Sequence, residues 1–226
     1  MPRFQRVVDR VFLVGGSGYS DPADCLVYAL DLGEIVLGDS GLGPSWPHIR
    51  RNIAAAGLDP DRIHTLVLTH AHIDHAGGAA QARRETRCRV VAHDLDADAI
   101  ESGDPVLSAA TWYETDLDRV PVDLRVKGPE HTLELEQGSL RLVHAPGHTP
   151  GSMALVWDSP EGRILVGQDV HGPFAASFGS DVAAWRRSMQ ALLDLEADVL
   201  CEGHFGVYRG RDAVRRFIEG HLAENR

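Results

Sequence analysis

The sequence predicts an α/β protein in which two mixed β-sheets are flanked by helices. Short apolar, β-branched segments of strand length alternate with longer segments in which apolar residues recur at helical spacing. Strands followed by a helix and a polar loop occur roughly twice along the chain. The 226 residues suffice for one domain with a well-buried core, and a hydrophobic content of 43% with 24% charged residues is ordinary for a folded protein.

The chain is predicted to begin as an antiparallel meander and to continue into a helix. We expect strands over Arg6–Val14, Cys25–Leu32 and Glu34–Leu37, because these apolar runs are separated by turn residues. Apolar residues recur at helical spacing in Pro44–Gly57, and the final glycine is a typical helix stop. The apolar run Ile63–Leu68 is typical of a buried strand.

The stretch THAHIDHAGG follows that strand and concentrates metal-binding side chains. It contains His70, His72, Asp74 and His75 within six positions. The first three alternate along the chain, which in an extended segment places them on one side, whereas Asp74 and His75 are adjacent and must diverge. Imidazole and carboxylate groups suit Zn²⁺ and tolerate Fe or Mn. Chance clustering on a surface loop is the alternative, and four such residues in six positions disfavour it.

The next part of the chain is predicted to complete a β-loop-α-β unit and then to change character. We expect a helix over Gly78–Thr86 and a strand over Cys88–Ala92. His93 ends that strand, where a substrate pocket could lie. Residues 94–127 interrupt the pattern with an acidic helix over Asp94–Ser102 and a later Trp-Tyr pair.

The segment 94–127 is predicted to be an insertion that covers the site as a lid or forms a contact between two copies of the chain. Its aromatic pair, Trp112 and Tyr113, is predicted to bind substrate. Packing of these two side chains onto the core is the alternative. A homodimer is therefore possible, and the sequence does not decide between the two roles.

The second half of the chain is predicted to form hairpins and two helices. Gln137-Gly138 separates two alternating segments, which is typical of a hairpin. Two further strands flank Ser159–Gly162, and a last strand precedes a Gly-His pair. Apolar residues at helical spacing predict one helix before this last strand and one after it. The predicted strands are Thr132–Glu136, Ser139–His144, Met153–Trp157, Arg163–Val166 and Asp198–Cys201, and the helices are centred on Met189 and Ile218.

THAHIDHAGG resembles the H-x-H-x-D-H signature of the metallo-β-lactamase-fold hydrolases, and four further segments extend this resemblance. The family supplies a later His, a bridging Asp and a final His, and this chain has His148 in APGHTPGS, Asp169 in LVGQDV and His204 in CEGHFG, in that order. The upstream GDSG resembles the family's early Asp-x-Gly turn and makes Asp39 a supporting residue behind the ligands. The resemblance implies a four-layer αββα sandwich.

The resemblance also implies a site for two metal ions, with Zn²⁺ as the expected metal at about two ions per chain. Asp74 and Asp169 are expected to take part in catalysis as well as ligation. A water molecule shared by two cations ionises near neutral pH, and the resulting hydroxide would be the nucleophile. The implied ligands are His70, His72 and His148 for one metal, Asp74, His75 and His204 for the other, and Asp169 between them.

The expected reaction is hydrolysis of a small thioester, ester or lactone. No acid is evident outside the ligand set to protonate an amine, whereas a thiolate, with a conjugate-acid pKa of ~8.5, leaves without help. N-acyl homoserine lactonases carry a Tyr after the bridging Asp that has no counterpart here, so His171 or Phe174 is expected to face the pocket.

Three alternatives remain open. An iron-dependent persulfide dioxygenase resembles the same scaffold and would hold one ferrous ion with His70, His148 and Asp169. A β-lactam hydrolase is disfavoured because the zinc lactamases that use a Cys ligand place it where this chain has Asp169. A metal-binding sensor without turnover is disfavoured by the complete ligand set.

Charge and cysteine content limit the expected partners and compartment. With 22 basic and 33 acidic residues the net charge is −11, which disfavours nucleic acid and anionic membranes as partners. Cys25, Cys88 and Cys201 show no C-x-x-C spacing and fit reduced thiols. No apolar stretch of the length of a signal peptide or membrane span is evident, so we expect a cytoplasmic protein that acts on a small molecule.

Overall fold

Two mixed β-sheets lie face to face and helices cover the outer face of each, which confirms the predicted fold class. The computed structural model describes residues 1–167 and 169–225. Within them the strands are β1 (Gln5–Val8), β2 (Val11–Gly15), β3 (Val27–Asp31), β4 (Ile35–Gly38), β5 (Ile63–Val67), β6 (Arg89–His93), β7 (Leu124–Val126), β8 (Glu130–Leu135), β9 (Gly138–His144), β10 (Met153–Ser159), β11 (Gly162–Val166), β12 (Val199–Cys201) and β13 (Val207–Arg209).

Each predicted helical segment contains a helix in the described chain. They are α1 (Trp46–Ala55), α2 (Ile73–Ala76), α3 (Ala79–Thr86), α4 (Asp94–Ser102), α5 (Val182–Asp194) and α6 (Arg211–Glu224). Short 3₁₀ turns occur at Pro60–Arg62, Ala110–Trp112 and Ala176–Phe178. No helix in the described part of the chain is both long and apolar enough to span a membrane.

The strand order brings the ends of several strands to one end of the sandwich. The first sheet runs β1 to β7 in chain order, antiparallel as far as β4 and parallel from β4 to β7. The second sheet has the order β13-β12-β11-β10-β9-β8, with β11 and β12 parallel. The carboxyl ends of β4, β5 and β6 therefore lie together, as do those of β9, β11 and β12.

Both faces of the central strands are buried. In β3, Val27 and Ala29 pack towards the helices, whereas Tyr28 and Leu30 pack against the second sheet. Because alternate residues of a strand point to opposite faces, burial on both sides requires an almost continuous apolar run. Helices α5 and α6 cover the outer face of the second sheet through Trp185, among other residues.

The loops of the two sheets are tied together at the end where these strands finish. The backbone N–H of Met153 donates to the Thr69 carbonyl at 2.8 Å, and the N–H of Leu26 donates to the Gly203 carbonyl at 2.7 Å. These bonds join the loop after β5 to β10 and the chain before β3 to the loop after β12. Loops that are distant in sequence are therefore held within hydrogen-bonding distance of each other.

One strand prediction was wrong, and two strands were not predicted. The single strand expected over Arg6–Val14 is a hairpin, β1 and β2, because the chain turns at Arg10, whose φ is 66°. Strands β7 and β13 were not predicted, because each has only three residues and includes an arginine, so neither forms an apolar run as the equally short β12 does.

The segment 94–127 contributes to the fold at both of its ends. Helix α4 has the predicted bounds and β7 pairs in parallel with β6, so the irregular part is limited to residues 103–123. Leu117 and Val120 are buried in this part, whereas Trp112 is 56% and Tyr113 37% exposed. A role as a lid or subunit contact stays a prediction.

Gly77 marks a close approach between the metal-binding stretch and the chain after β4. A Cβ atom added there would overlap the backbone carbonyl of Leu42, which cannot move as a flexible side chain could. Gly220, within α6, has no atom within 4 Å of an added Cβ.

We expect Gly77→Ala to lower the free energy of unfolding by about 2 kcal/mol, because overpacking against backbone forces a local shift. Gly220→Ala is the matched control and is expected to raise it by about 0.5–1 kcal/mol, since alanine favours a helix interior over glycine. Urea denaturation of both variants measures the difference. Equal midpoints for the two variants would contradict the close approach at Gly77.

Candidate metal centre

Loops from both sheets bring the seven predicted ligands into one cluster. His70 and His72 follow β5, and the short helix α2 carries Asp74 and His75. The other three side chains follow β9, β11 and β12 of the second sheet. The clustered residues are His70, His72, Asp74, His75, His148, Asp169 and His204.

The first group of ligand atoms belongs to His70, His72, His148 and Asp169, all of which lie within 4.8 Å of one another. His72 Nδ1 and His148 Nε2 are 2.9 Å apart. His70 Nε2 is buried and has no hydrogen-bond partner among the described residues. Buried polar atoms are ordinarily paired, so nitrogens that converge in this way fit a bound cation.

The second group consists of Asp74, His75 and His204. His75 Nε2 and His204 Nε2 are 3.3 Å apart, and Asp74 Oδ2 is 3.3 Å from the same His204 nitrogen. Asp169 lies between the two groups: its Oδ1 is 3.1 Å from His75 Nε2, and its Oδ2 is 3.5 Å from His148 Nε2. One carboxylate therefore faces both groups, as a bridging ligand must.

Asp39 fixes the orientation of two imidazoles from behind. Its Oδ2 accepts hydrogen bonds from His75 Nδ1 at 2.8 Å and from the Thr69 hydroxyl at 2.9 Å, and its Oδ1 accepts from the Thr69 backbone N–H at 2.8 Å. The Thr69 hydroxyl can then accept from His70 Nδ1 at 3.1 Å. This network places a proton on Nδ1 of both His70 and His75, which leaves their Nε2 atoms as the ones that could coordinate a metal ion.

His148 and His204 are supported in the same manner from the second sheet. His148 Nδ1 lies 2.8 Å from the Pro173 carbonyl, which directs its Nε2 inward. The buried side chain of Glu202 accepts from the backbone N–H of His204 at 2.7 Å. Its other oxygen lies 3.0 Å from His171 Nδ1. The loop after β12 is therefore held by a carboxylate that lies within that loop.

The electrostatics of the two groups differ. Burial and the neighbouring imidazoles lower the pKa of His70 well below its usual value, and burial lowers the pKa of His72 to about 3. Burial opposes ionisation of His204, but the Asp169 and Asp74 carboxylates raise its pKa to about 10. The first group thus favours neutral imidazoles. In the second group, the Asp74 and Asp169 carboxylates favour a positive charge beside them. Both properties fit divalent metal ions.

A small pocket of about 200 Å³ opens onto the cluster. Trp112, Tyr113 and His171 line it, together with Pro173 and several of the candidate ligands. None of the described residues that line it is Lys or Arg. A larger cavity of about 800 Å³ is lined by the turn between β10 and β11, at the other end of the sandwich, and includes none of the clustered side chains.

Two residues predicted to bind substrate are placed elsewhere. His93 is 4% exposed and stacks on His144 with ring centroids 3.8 Å apart, so it packs beneath the loops and does not line the pocket. Phe174 packs edge-on against Trp185 at 5.0 Å, on the outer side of the second sheet. Of the predicted pair His171 and Phe174, the structure brings only His171 to the pocket.

Three residues near the cluster were not identified from the sequence. Phe178 packs edge-on against His72 at 4.3 Å and against Trp112 at 5.3 Å. Glu202 and Asp96 are carboxylates buried to 0% and 3% exposure behind the ligand loops. The sequence signal for Asp96 was weak: it is an acidic residue among the apolar positions of α4.

The chain folds as an αββα sandwich, and its candidate metal centre lies at one end of both sheets. The family model described as the metallo-beta-lactamase superfamily matches residues 19–204. The chain therefore belongs to the metallo-beta-lactamase superfamily.

Relatives of known sequence carry several different names. The chain is 28% identical over 170 residues to hydroxyacylglutathione hydrolase from Halorhodospira halophila, covering 74% of this chain and 53% of the relative. It is 32% identical to acyl-coenzyme A thioesterase MBLAC2 from Bos taurus, covering 58% and 52%. It is also 32% identical to Ribonuclease TTHA0252 from Thermus thermophilus, covering 75% and 39%. The chain thus spans about half, or less, of the length of these relatives.

Solved structures share the fold. The native FEZ-1 metallo-beta-lactamase from Legionella gormanii superposes with a TM-score of 0.82, covering 100% of this chain and 94% of the other. The two sequences are 18% identical. At this identity the similarity establishes the architecture and leaves the substrate open.

We expect Asp39→Asn to destabilise the metal-free protein by about 1–3 kcal/mol, because every group that Asp39 contacts is a donor and one donor would then face the amide NH₂. Asparagine tolerates the positive φ of 66° at this position, so backbone strain does not contribute. Urea denaturation of metal-free protein measures the loss.

Asp104→Asn is the matched control, because a single Asp104 oxygen accepts both of its backbone bonds, from Val106 and Leu107, and an amide oxygen can replace it. Its effect is expected to stay within about 0.5 kcal/mol. An Asp39→Asn variant as stable as this control would contradict the network drawn around Asp39.

Proposed function

We propose that this chain is a dinuclear metal-dependent hydrolase of small thioesters, esters or lactones, and that its metal is Zn²⁺. The observation that carries this proposal is the position of Asp169 between two groups of ligand atoms, 3.1 Å from His75 Nε2 and 3.5 Å from His148 Nε2. A carboxylate in that position suits two neighbouring cations better than one.

The proposed ligands follow the two groups of atoms. His70, His72 and His148 would hold one cation, and Asp74, His75 and His204 the other, with Asp169 shared. Such a site, when loaded, activates water and polarises a carbonyl group. The three-histidine and mixed sets leave positions open for water and substrate, as a catalytic zinc site requires.

Tyr113 is the side chain best placed to orient the substrate in this proposal. Burial and the Asp74 carboxylate raise the pKa of Tyr113 above its usual value, so its phenol stays protonated and can donate a hydrogen bond. Tyr113 lines the pocket together with Asp74 and His171, and its hydroxyl lies beside the Asp74 carboxylate. A donor at this point can bind the carbonyl oxygen of a substrate, where negative charge develops in the transition state.

The choice of a good leaving group rests on the relatives and on the size of the pocket. Apart from the candidate ligands, the side chains of the described lining that carry a hydrogen-bond donor are those of Trp112, Tyr113 and His171. Two of the relatives are named as a hydroxyacylglutathione hydrolase and an acyl-coenzyme A thioesterase, which favours thioesters within the proposed class. The volume of about 200 Å³ favours a small acyl group.

The alternatives predict different metals and substrates. A persulfide dioxygenase would hold one iron ion with His70, His148 and Asp169, and would leave the second group of ligands without a role. β-Lactam hydrolysis expels an amine nitrogen, which leaves less readily than a thiolate, and a ribonuclease substrate needs cationic contacts that the described pocket lining does not offer.

The first test measures the metal content of protein purified without added metal, followed by assays with a panel of thioesters, lactones and β-lactams. We expect about two zinc ions per chain and hydrolysis of a thioester or lactone that chelation abolishes and Zn²⁺ restores. Asp169→Ala is expected to lose at least about 100-fold in activity, with Asp158→Ala, at an exposed carboxylate, as control. One iron per chain with thiol-dependent oxygen uptake would refute the proposal.

The second test isolates Tyr113. We expect Tyr113→Phe to lower kcat by about 10–100-fold with unchanged metal content, because one donor to the developing negative charge is removed. Tyr208→Phe is the matched control, since that ring packs on Phe217 of α6 away from the pocket. Unchanged kcat in Tyr113→Phe would exclude the phenol from the reaction.

A further inference from the structure

Asp96 is a buried carboxylate that makes three hydrogen bonds to two different loops. It lies on α4 and is 3% exposed. Its Oδ2 accepts from the backbone N–H of Ala71 at 3.0 Å and from the Thr149 hydroxyl at 2.7 Å. Its Oδ1 accepts from the backbone N–H of Gly151 at 2.7 Å.

The partners of Asp96 are the immediate neighbours of candidate ligands. Ala71 lies between His70 and His72 in the loop after β5, and Thr149 follows His148 in the loop after β9. These loops belong to different sheets. One carboxylate therefore connects the two pieces of chain that carry the imidazoles of the first ligand group.

The surroundings of Asp96 are closely fitted to this arrangement. A Cβ atom added to Gly151 would lie 2.6 Å from Asp96 Cγ, so the glycine allows the loop to approach the carboxylate. The Thr149 hydroxyl is also within 2.8 Å of Ser152 Oγ, which in turn accepts from the Thr149 backbone N–H at 3.0 Å. The loop after β9 is thus fixed both internally and against α4.

We propose that Asp96 is a positioning residue that sets the separation of the loop carrying His70 and His72 from the loop carrying His148, and thereby the affinity for the first metal ion. The inference rests on the proposed metal centre. Glu202 supports His204 of the second group, and Asp39 supports His75 together with His70. Asp96 instead contacts the chain beside His70, His72 and His148, so its effect is expected mainly at the first metal ion.

A general role in stability is the competing explanation for Asp96. A carboxylate in the first turn of a helix interacts favourably with the helix dipole, and its loss would destabilise α4 without a specific effect on either metal. The two explanations differ in whether one metal site is weakened selectively.

The test is titration of metal-free Asp96→Asn with Zn²⁺ against a chromophoric chelator, with the visible spectrum of the Co²⁺-loaded protein as a second readout. The amide would present NH₂ to one of two backbone N–H groups, so at least one loop loses its bond. We expect one of the two metal equivalents to bind about 10–100-fold more weakly, with the other unchanged and an altered Co²⁺ spectrum.

Asp123→Asn is the matched control for structural loss. Asp123 accepts from the backbone N–H of Val90 at 2.8 Å and pairs with Arg83, at the start of β6 and away from the ligand loops. We expect this variant to lose stability and to keep both metal affinities. Wild-type affinities in Asp96→Asn, or an equal loss at both sites, would overturn the proposal.

A second pair of variants avoids the carboxylate itself and covers the case in which Asp96→Asn does not fold. Thr149→Val removes the hydroxyl donor, and Thr149→Ser keeps it. We expect the valine variant to weaken the same metal equivalent and the serine variant to bind as the wild type does. Equal affinities in the two would refute the role of Asp96. Failure of the wild-type protein to bind two metals would instead refute the proposed dinuclear function.

Discussion

The structure depends on the compensation of charge in one buried space. The Asp74 and Asp169 carboxylates and five imidazoles lie in and around this space, and several of their acceptor atoms are aimed at one another. Burial of unpaired polar groups is costly, so such convergence is stable only with protons or cations between the ligand atoms. His75 and His204 hold the pKa of Asp169 well below its usual range although burial opposes this. Positive charge, in the form of protons or metal ions, therefore stabilises the cluster.

Buried carboxylates behind the candidate ligands hold the ligand loops in position. These carboxylates come from three elements: Asp39 follows β4, Asp96 lies on α4 and Glu202 follows β12. Each accepts a hydrogen bond from a backbone N–H at or close to a candidate ligand. Because they come from different elements, they tie the cluster to both sheets and to an outer helix. The ligand loops are thus fixed to the sheets and the helix, and a metal site requires such fixed ligand positions.

The sequence was sufficient where the signal is local. The ligands of THAHIDHAGG lie within six positions, and the strands buried on both faces are continuous apolar runs. It was insufficient where a role depends on a distant partner. Asp96 looks like one more residue of an acidic helix, and its function as an acceptor depends on Thr149 and Gly151, more than 50 positions away. His93 ends a strand at the correct edge, but stacking on His144 removes it from the pocket.

The candidate metal ligands and the wall of the pocket belong to different kinds of structure. The candidate ligands follow strand ends, and most are supported by buried hydrogen bonds. The pocket wall is carried by the irregular segment 103–123 and by the loop after β11, through Trp112, Tyr113 and His171. Trp112 is 56% exposed and contacts Phe178, which packs on His72, so an aromatic path leads from solvent to the first ligand group. Such segments tolerate substitution without disturbing the sheets, and a change in this wall would alter substrate preference while leaving the ligand cluster in place.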